Sequence, residues 1–260
     1  MAEKITSLHN PRVKEAAKLR SGRGRTRQAR ILIDGQREVQ RALRAGVQLH
    51  EVFACPAPND EPSEHALAAW EDAGVPVFRV AANVFSRLAY GDRDLGVVAV
   101  AQAPDHRLGG LSLVADALVV VLEGVEKPGN VGAVVRTADA VGASAVIVAD
   151  GATDLYNPNA IRASLGTIFA VPVCAASSVE TAAWLRQHRL QILATRVGGA
   201  VPYTRVSYRV PTAIVLGSEA EGLSDVWRGP DVTAVSLPMK GLADSLNVAT
   251  TAAVVLYEAL

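Results

Sequence analysis

LVVVLEGVEKPGNVGAVVRTADAV, residues 118–141, is the most informative stretch of this chain. It opens with five apolar residues, crosses a loop rich in glycine, and continues with apolar residues at helical spacing. These helical positions are Val131, Val134, Val135, Ala138 and Val141. A strand that is apolar along its whole length, followed directly by a helix, indicates a parallel sheet covered by helices on both faces.

The same pattern extends over the rest of the second half of the chain. Further apolar runs at residues 145–148, 191–194, 213–216 and 233–237 are separated by helical patterns. The last helical pattern places Val248, Ala252, Val255, Leu256 and Ala259 on one face. We therefore predict an α/β domain over residues 117–260. Ligands of such sheets bind at the carboxyl ends of the strands, so the loops there are the candidate site.

The first part of the chain predicts a second, smaller α/β domain over residues 1–105. Short apolar runs at residues 31–33, 52–54, 77–80 and 96–100 alternate with helical segments at about 34–44, 62–72 and 82–89. Pro104 and the pair Gly109-Gly110 interrupt the pattern, so residues 106–116 are the predicted linker.

The basic residues of this protein are concentrated at its start. Residues 1–30 carry nine Lys or Arg against two Glu, although the net charge of all 260 residues is zero. This asymmetry predicts contact with a polyanion, which on charge alone is RNA, DNA or an anionic membrane surface; a solvated arm without a partner is the alternative.

Composition excludes several other classes of protein. The apolar runs are far shorter than the ~20 residues of a membrane span. Cys55 and Cys174 are too far apart in sequence for a CxxC pair, and no histidine lies in a metal-binding pattern, so we expect no metal. The opening residues do not form a secretion signal, so we expect a cytoplasmic protein.

The loop after residues 118–122 nearly matches two nucleotide-binding motifs. Gly124 and Gly129 have the spacing of a phosphate-binding P-loop, but Asn130 replaces the lysine that contacts phosphate. Gly129 and Gly132 are the last two glycines of a dinucleotide fingerprint whose first glycine is missing. A turn with Asn130 as helix cap is the simplest alternative, although it leaves Arg136 unexplained.

Two later loops carry glycine beside polar side chains. One reads Gly217-Ser-Glu219-Ala-Glu-Gly222, directly after an apolar run. The other reads Leu237-Pro-Met239-Lys-Gly241 and continues to Ser245-Leu246-Asn247 at the start of the last helix. A single cap residue, either Ser245 or Asn247, is enough to begin the last helix, so capping alone scarcely explains both.

In order along the chain, these loops resemble the three motifs of the SpoU/TrmH family of RNA ribose 2′-O-methyltransferases, within the SPOUT superfamily. The resemblance rests on Asn130-x-Gly-x-x-x-Arg136, on the Gly217–Gly222 loop, and on Leu237–Gly241 with Ser245–Asn247. Asn10-Pro11 and Asp34-Gly35-x-Arg37 are similar to the family's ribosomal-protein-like RNA-binding domain. Val248-Ala249-Thr250 departs from the commoner Val-Ser-Val.

The resemblance implies a SPOUT domain with a deep trefoil knot, S-adenosylmethionine as cofactor, and a homodimer in which Arg136 acts on the partner's site. The implied catalytic residues are Arg136, Asn130, Glu219, Ser245 and Asn247. The implied cofactor-binding residues are Thr195, Gly198, Gly217, Leu237, Met239 and Leu246. RNA contacts are expected at Arg23, Arg25, Arg27 and Arg37, since guanidinium groups bind phosphate.

Members with the same layout methylate 23S-type ribosomal RNA, some of them conferring antibiotic resistance, so this is the expected reaction. A transfer RNA methyltransferase, an inactive RNA-binding or ribosome-assembly protein, and a nucleotide-dependent oxidoreductase remain alternatives. Guanidinium is always protonated and has no acceptor, so we expect Arg136 to stabilise negative charge rather than to act as a base. Glu219 is a candidate to receive the proton through water.

Overall fold

The structure is a computed structural model that describes residues 4–55, 64–90, 96–151, 154–198 and 201–260. The chain divides into two compact units. The first unit comprises Met1–Pro104 and Tyr156–Phe169, and the second comprises Asp105–Leu155 and Ala170–Leu260. The segment Tyr156–Phe169, which lies inside the sequence range predicted for the catalytic domain, therefore packs with the first unit.

Strands and helices alternate through the first 102 residues. They are β1 (Lys4–Ile5), α1 (Pro11–Lys18), α2 (Gly22–Gln28), β2 (Arg30–Asp34), α3 (Gln36–Arg44), β3 (Leu49–Ala54), α4 (Glu64–Asp72), β4 (Val77–Val80), α5 (Ala82–Leu88) and β5 (Val97–Gln102). Residues 62 and 63 of the helical segment predicted at about 62–72 lie outside the described residues.

Strands and helices continue to alternate up to about residue 195, but the last four strands follow one another with no α-helix between them in the described residues, so the helical patterns expected between the apolar runs at 191–194, 213–216 and 233–237 are wrong. The elements are β6 (Leu118–Glu123), α6 (Pro128–Ala140), β7 (Ala145–Ala149), α7 (Pro158–Ala163), β8 (Val173–Ala176), α8 (Ser178–Gln187), β9 (Gln191–Thr195), β10 (Val201–Pro202), β11 (Thr212–Leu216), β12 (Val232–Ser236) and α9 (Val248–Ala259). Single 3₁₀ turns lie at Leu108–Gly110, Thr167–Phe169, Tyr203–Arg205 and Asp225–Trp227.

The first unit is built on a mixed sheet in the order β1-β4-β3-β5-β2. β5 runs antiparallel to both of its neighbours, whereas β1, β4 and β3 run parallel. Six of the nine basic residues expected in an N-terminal arm lie in α1 and α2, which begin at side-chain caps provided by Asn10 and Ser21. Because Asn and Ser satisfy free amides at a helix start, these short basic segments become helical.

The second unit is built on a parallel sheet in the order β10-β12-β9-β11-β6-β7-β8. β6 and β11 lie at its centre and are buried along almost their whole length, as their apolar sequences predict. Because the strands are parallel and in close register, Thr195, Leu216 and Glu123 all lie at the carboxyl edge. That edge is where the candidate loops begin.

The predicted α/β fold is confirmed; the trefoil knot stays a prediction. The apolar faces predicted for α6 and α9 are buried at Val131, Val135, Ala252 and Leu256. The sequence did not reveal β8, because Val173–Ala176 is short and lacks a long apolar run, or the two-residue strands β1 and β10. No described helix combines the length and apolarity needed to cross a membrane.

Asp34, at the end of β2, is a buried carboxylate with incomplete hydrogen bonding. Its Oδ1 accepts from the Tyr90 amide at 3.1 Å, while Oδ2 has no hydrogen-bond partner among the described residues. Burial raises the pKa of Asp34 to about 6, and the Tyr90 amide and Arg162 only partly oppose this rise. Desolvation therefore favours the neutral acid.

We expect Asp34→Asn to stabilise the protein at neutral pH but not at pH 4. Because the folded-state pKa is raised, the wild type loses stability as pH rises from about 4 to 6, by roughly 1.4 kcal/mol per unit. Urea unfolding at several pH values measures the difference, with the exposed Asp116→Asn as control. If the free energy of unfolding depended on pH in the same way in the wild type and in Asp34→Asn, the raised pKa of Asp34 would be contradicted.

Candidate active site

A cavity of about 780 Å³ opens at the carboxyl ends of β9, β11 and β12. It is lined by five of the six residues predicted to bind the cofactor, namely Thr195, Gly217, Leu237, Met239 and Leu246. Gly198, the sixth, is not among the described residues that line it. The loops that sequence motifs singled out are thus brought to a single cavity by the parallel sheet.

The loop from Gly217 to Gly222 forms one wall of this cavity and is closed on itself. The Ser218 amide donates to the Gly222 carbonyl at 3.2 Å, and the Gly222 amide donates back to Ser218 at 3.1 Å. A side chain at Gly217 would place its Cβ 2.3 Å from the Gly222 carbonyl, and Gly222 itself has φ +67°. Both glycines are therefore required by the loop geometry.

Glu219 is the centre of a polar cluster beside the cavity. Its Oε1 accepts from Asn130 Nδ2 at 3.1 Å and from Asn247 Nδ2 at 2.5 Å. Its Oε2 accepts from Lys127 Nζ at 3.1 Å. Asn247 also caps α9, because its Oδ1 accepts from the Ala249 amide at 2.9 Å. Three of the predicted catalytic residues are therefore in direct contact with one another.

Hydrogen bonding lowers the pKa of the Glu219 carboxyl. The hydrogen bond from Lys127 is the main cause, and the charge of Lys127 and the hydrogen bond from Asn130 add to it. A carboxylate that already accepts three hydrogen bonds and has a lowered pKa is a poor proton acceptor at neutral pH. Glu219 is better suited to orienting Asn130 and Asn247.

Asn130 and Arg136 lie on α6 but face different surroundings. The helix begins at Pro128, with Lys127 as the cap residue, so the alternative in which Asn130 caps the helix is wrong. The Asn130 side chain is instead free to reach Glu219. Arg136 is exposed, and it has no hydrogen bond or ion pair within the described part of the chain.

Arg136 lines neither this cavity nor the one beside it, whereas Ser245 lines the first. The neighbouring cavity, of about 570 Å³, lies at the ends of β6 and β7. The Ser218–Gly222 segment belongs to the lining of both cavities. Lys127, Asn130 and Asp150 line the second cavity alone.

Glu123, the last residue of β6, was not predicted as a site residue. It is 5% exposed, and its carboxylate accepts from Ser178 Oγ at 2.5 Å, Ser224 Oγ at 2.8 Å, the Ser224 amide at 2.7 Å and Trp227 Nε1 at 2.8 Å. Four donors compensate for the buried charge. The sequence could have indicated this role, because Glu123 is a carboxylate that directly follows the apolar run at residues 118–122.

Arg196 was also missed, although it directly follows the predicted Thr195. Its guanidinium donates to the carbonyls of Leu223, Ser224 and Trp227 at 3.1–3.3 Å. Arg196 and Glu123 thus hold the same segment, residues 223–227, from two sides. Because that segment includes lining residues of the first cavity, both side chains define its shape.

The arginines predicted to bind RNA differ in exposure. Arg23 and Arg27 are exposed on α2, and Arg37 is exposed beside Glu38, to which it donates at 2.8 Å. Arg25 is 5% exposed, and its guanidinium donates to the Leu19 carbonyl at 2.7 Å. A buried guanidinium used in this way has a structural role, so Arg25 is not a suitable phosphate contact.

Within the described residues, no group of three or more His, Cys, Asp or Glu is placed to hold a metal ion. Both cysteines are buried and unpaired with each other, and burial raises the pKa of the Cys174 thiol to about 12.

Residues 117–257 match the SpoU rRNA Methylase family, and residues 10–99 match the MRM3-like substrate binding domain. The 23S rRNA (guanosine(2553)-2′-O)-methyltransferase RlmP of Bacillus subtilis is 26% identical over 255 residues, covering 98% of each protein.

Two solved structures are similar over nearly the whole chain. A crystal structure of an RNA 2′-O ribose methyltransferase is 42% identical with a TM-score of 0.85, covering 98% of this chain and 97% of that one. The AdoMet-bound rRNA methyltransferase from Sinorhizobium meliloti is 30% identical with a TM-score of 0.88, covering 99% and 97%.

We expect Glu123→Ala to lower the free energy of unfolding by at least about 1–3 kcal/mol, because it leaves the buried Trp227 Nε1 donor without its acceptor. Urea unfolding followed by tryptophan fluorescence measures the loss. Glu221→Ala removes an exposed carboxylate from the same region and should change stability by less than about 0.5 kcal/mol. Equal stability of the two variants would rule out the proposed role of Glu123.

Proposed function

This chain belongs to the SpoU rRNA methylase family, and we propose that it transfers a methyl group from S-adenosylmethionine to a ribose 2′-hydroxyl of 23S-type ribosomal RNA. The observation that carries the proposal is the contact of Glu219, Asn130 and Asn247 beside a cavity lined by the predicted cofactor residues. The relatives named above act on RNA ribose or ribosomal RNA, which favours this substrate over transfer RNA.

The residues of the first cavity fit S-adenosylmethionine. Its volume of about 780 Å³ lies within the usual range for small-molecule sites. Gly217, Leu237 and Leu246 line this cavity, where Gly217 would let a ligand approach the end of β11 and the two leucines would offer backbone groups to adenine and ribose. Glu219, Glu221 and Asp244 bring carboxylates to a cavity that would receive a cationic ligand. When bound, this cofactor supplies an activated methyl group.

The protein's own residues hold the 2′-oxygen and favour its negative charge. Asn130 and Asn247, which both donate to Glu219, would hydrogen-bond the ribose. Ser245 borders the same wall. Arg136 would stabilise the developing alkoxide and bind the adjacent phosphate. Because Glu219 already accepts hydrogen bonds from Lys127, Asn130 and Asn247 and its pKa is lowered, it serves as an anchor for the amides, and the proton leaves to water.

A homodimer is the arrangement that brings Arg136 to a site. Arg136 follows Asn130 by six residues, which is about 9 Å along the helix axis and a different face. Its exposed side chain lines neither of the two cavities described above. A second copy of the chain would therefore supply the guanidinium in trans.

The first unit would hold the RNA. Its residues 10–99 match a substrate-binding domain, and Arg23, Arg27 and Arg37 present exposed guanidinium groups. Such groups bind phosphates without reading sequence. The polar cluster argues against an inactive RNA-binding protein, because binding alone does not require it. Action on ribosomal RNA would place the protein in the cytoplasm.

We expect the wild type to transfer labelled methyl from S-adenosylmethionine to one ribose of a 23S ribosomal RNA transcript, and Arg136→Ala to lose about 10²-fold or more in turnover. Cofactor affinity, measured by calorimetry, should stay the same because Arg136 lies outside the cofactor cavity. Transfer to transfer RNA alone would contradict the proposed substrate.

Mixing two inactive variants tests whether Arg136 acts in the site of its own chain or in the site of a partner. Arg136→Ala and Asn130→Ala proteins, each inactive alone, should regain activity when unfolded and refolded together, because a mixed dimer contains one complete site. Absence of any regained activity, with mixed dimers demonstrated by mass spectrometry, would place Arg136 in the site of its own chain.

We expect Arg23→Gln/Arg27→Gln to weaken RNA binding and to reduce the slope of log affinity against log salt by about 1–2. The slope falls because a protein with fewer phosphate contacts releases fewer counterions from the RNA. Fluorescence anisotropy at several salt concentrations measures this slope. Arg205→Gln/Arg209→Gln removes the same charge from exposed positions of the second unit and serves as control. Equal slopes for both variants would show that α2 does not contact the RNA.

A further inference from the structure

The second cavity shares a wall with the cofactor cavity. Ser218–Gly222 and Val248 line both, while Asn130 lines the second. A ribose held at this wall by Asn130 would therefore have its 2′-oxygen toward the first cavity. Its base would extend into the second, whose volume of about 570 Å³ is ample for a nucleoside.

Asp150 is the best-placed side chain to meet such a base. It directly follows β7 and has φ 48°, a left-handed conformation that is strained for residues other than glycine. Its amide donates to the Ala176 carbonyl at 3.0 Å, and its Oδ2 accepts from the Ser178 amide at 3.0 Å. Asp150 Oδ1 has no hydrogen-bond partner within the described residues.

Asp150 is exposed and lines the second cavity, so its fixed carboxylate leaves Oδ1 available to a ligand there. Strained conformations persist where the surroundings enforce them, commonly at binding sites. Here the backbone of β8 and the start of α8 hold the carboxylate in place, so it is preorganised. An acceptor prepared in this way, facing a cavity, favours a group with N–H donors.

One lysine and five carboxylates line the second cavity. Lys127 provides the cation, next to Asn130 and Glu219, which suits the phosphate beside the target ribose. The carboxylates are those of Glu123, Glu126, Asp150, Glu219 and Glu221, which repel phosphate and accept hydrogen bonds from base edges. A nucleotide with its phosphate toward Lys127 and its base toward Asp150 satisfies both.

We propose that the second cavity receives the base of the target nucleotide and that Asp150 selects guanine there. Guanine presents two adjacent donors, N1–H and the N2 amino group, to a carboxylate. Adenine and uracil present one donor beside acceptors, and those acceptors would face the negative charge. Bases of single-stranded RNA are read along these edges when they are unstacked. The inference rests on the proposed methyl transfer and adds base selectivity to it.

The test uses RNA with guanosine or inosine at the mapped position, because inosine keeps N1–H and lacks the N2 amino group. The wild type should prefer guanosine by roughly 5- to 150-fold in kcat/KM, the usual discrimination of a bidentate contact. Asp150→Asn, which tolerates the left-handed conformation, should lose most of this preference while its affinity for S-adenosylmethionine is unchanged. The exposed Asp116→Asn should keep it.

Three outcomes would overturn the inference while leaving the methyl transfer intact. They are a mapped target other than guanosine, equal use of guanosine and inosine by the wild type, and an unchanged preference in Asp150→Asn. If the wild type transfers no methyl group to any ribosomal RNA, the proposed function fails, and this inference fails with it.

Discussion

The buried carboxylate of Glu123 is the interaction on which the site depends. It lies at the end of the central strand β6 and binds the start of α8 through Ser178 and the 223–227 segment through Ser224 and Trp227. A buried charge without these donors would be too costly to retain. Its hydrogen bonds therefore join three segments of the chain: the end of β6, the start of α8 and residues 223–227. Arg196 also binds residues 223–227.

Backbone and side chains have different tasks at this edge of the sheet. The first cavity is shaped mainly by loop backbone, which explains the paired glycines Gly217 and Gly222. The adjacent cluster is built from side chains around Glu219, where a hydrogen bond from a lysine lowers the pKa of the carboxyl and the carboxylate binds two amides. In the proposed function, the first cavity would hold the cofactor, and the polar groups beside it would contact the RNA ribose.

The sequence predicted what depends on periodicity and on loop motifs. Apolar runs such as residues 118–122 are typical of strands buried on both faces of a parallel sheet, so β6 could be predicted. The glycines Gly217 and Gly222 indicated a loop that lines the first cavity. The roles of Glu123 and Arg196 depend on partners some 30 to 100 residues away, which no local pattern encodes. The burial of Arg25 could not be predicted either, because the sequence of a basic segment does not show which of its arginines faces solvent and which binds a backbone carbonyl.

The placement of Tyr156–Phe169 in the first unit has a consequence for synthesis of the chain. Arg41 of α3 donates to the Leu165 carbonyl at 2.8 Å, and a Cβ at Gly166 would lie 3.1 Å from Glu38 Cα. Domains fold largely in order as they leave the ribosome. This first unit is not complete until residue 169 has emerged, after β6 and β7 of the second unit. The two units are therefore interleaved during translation, and a cut at residue 104 would remove part of the first.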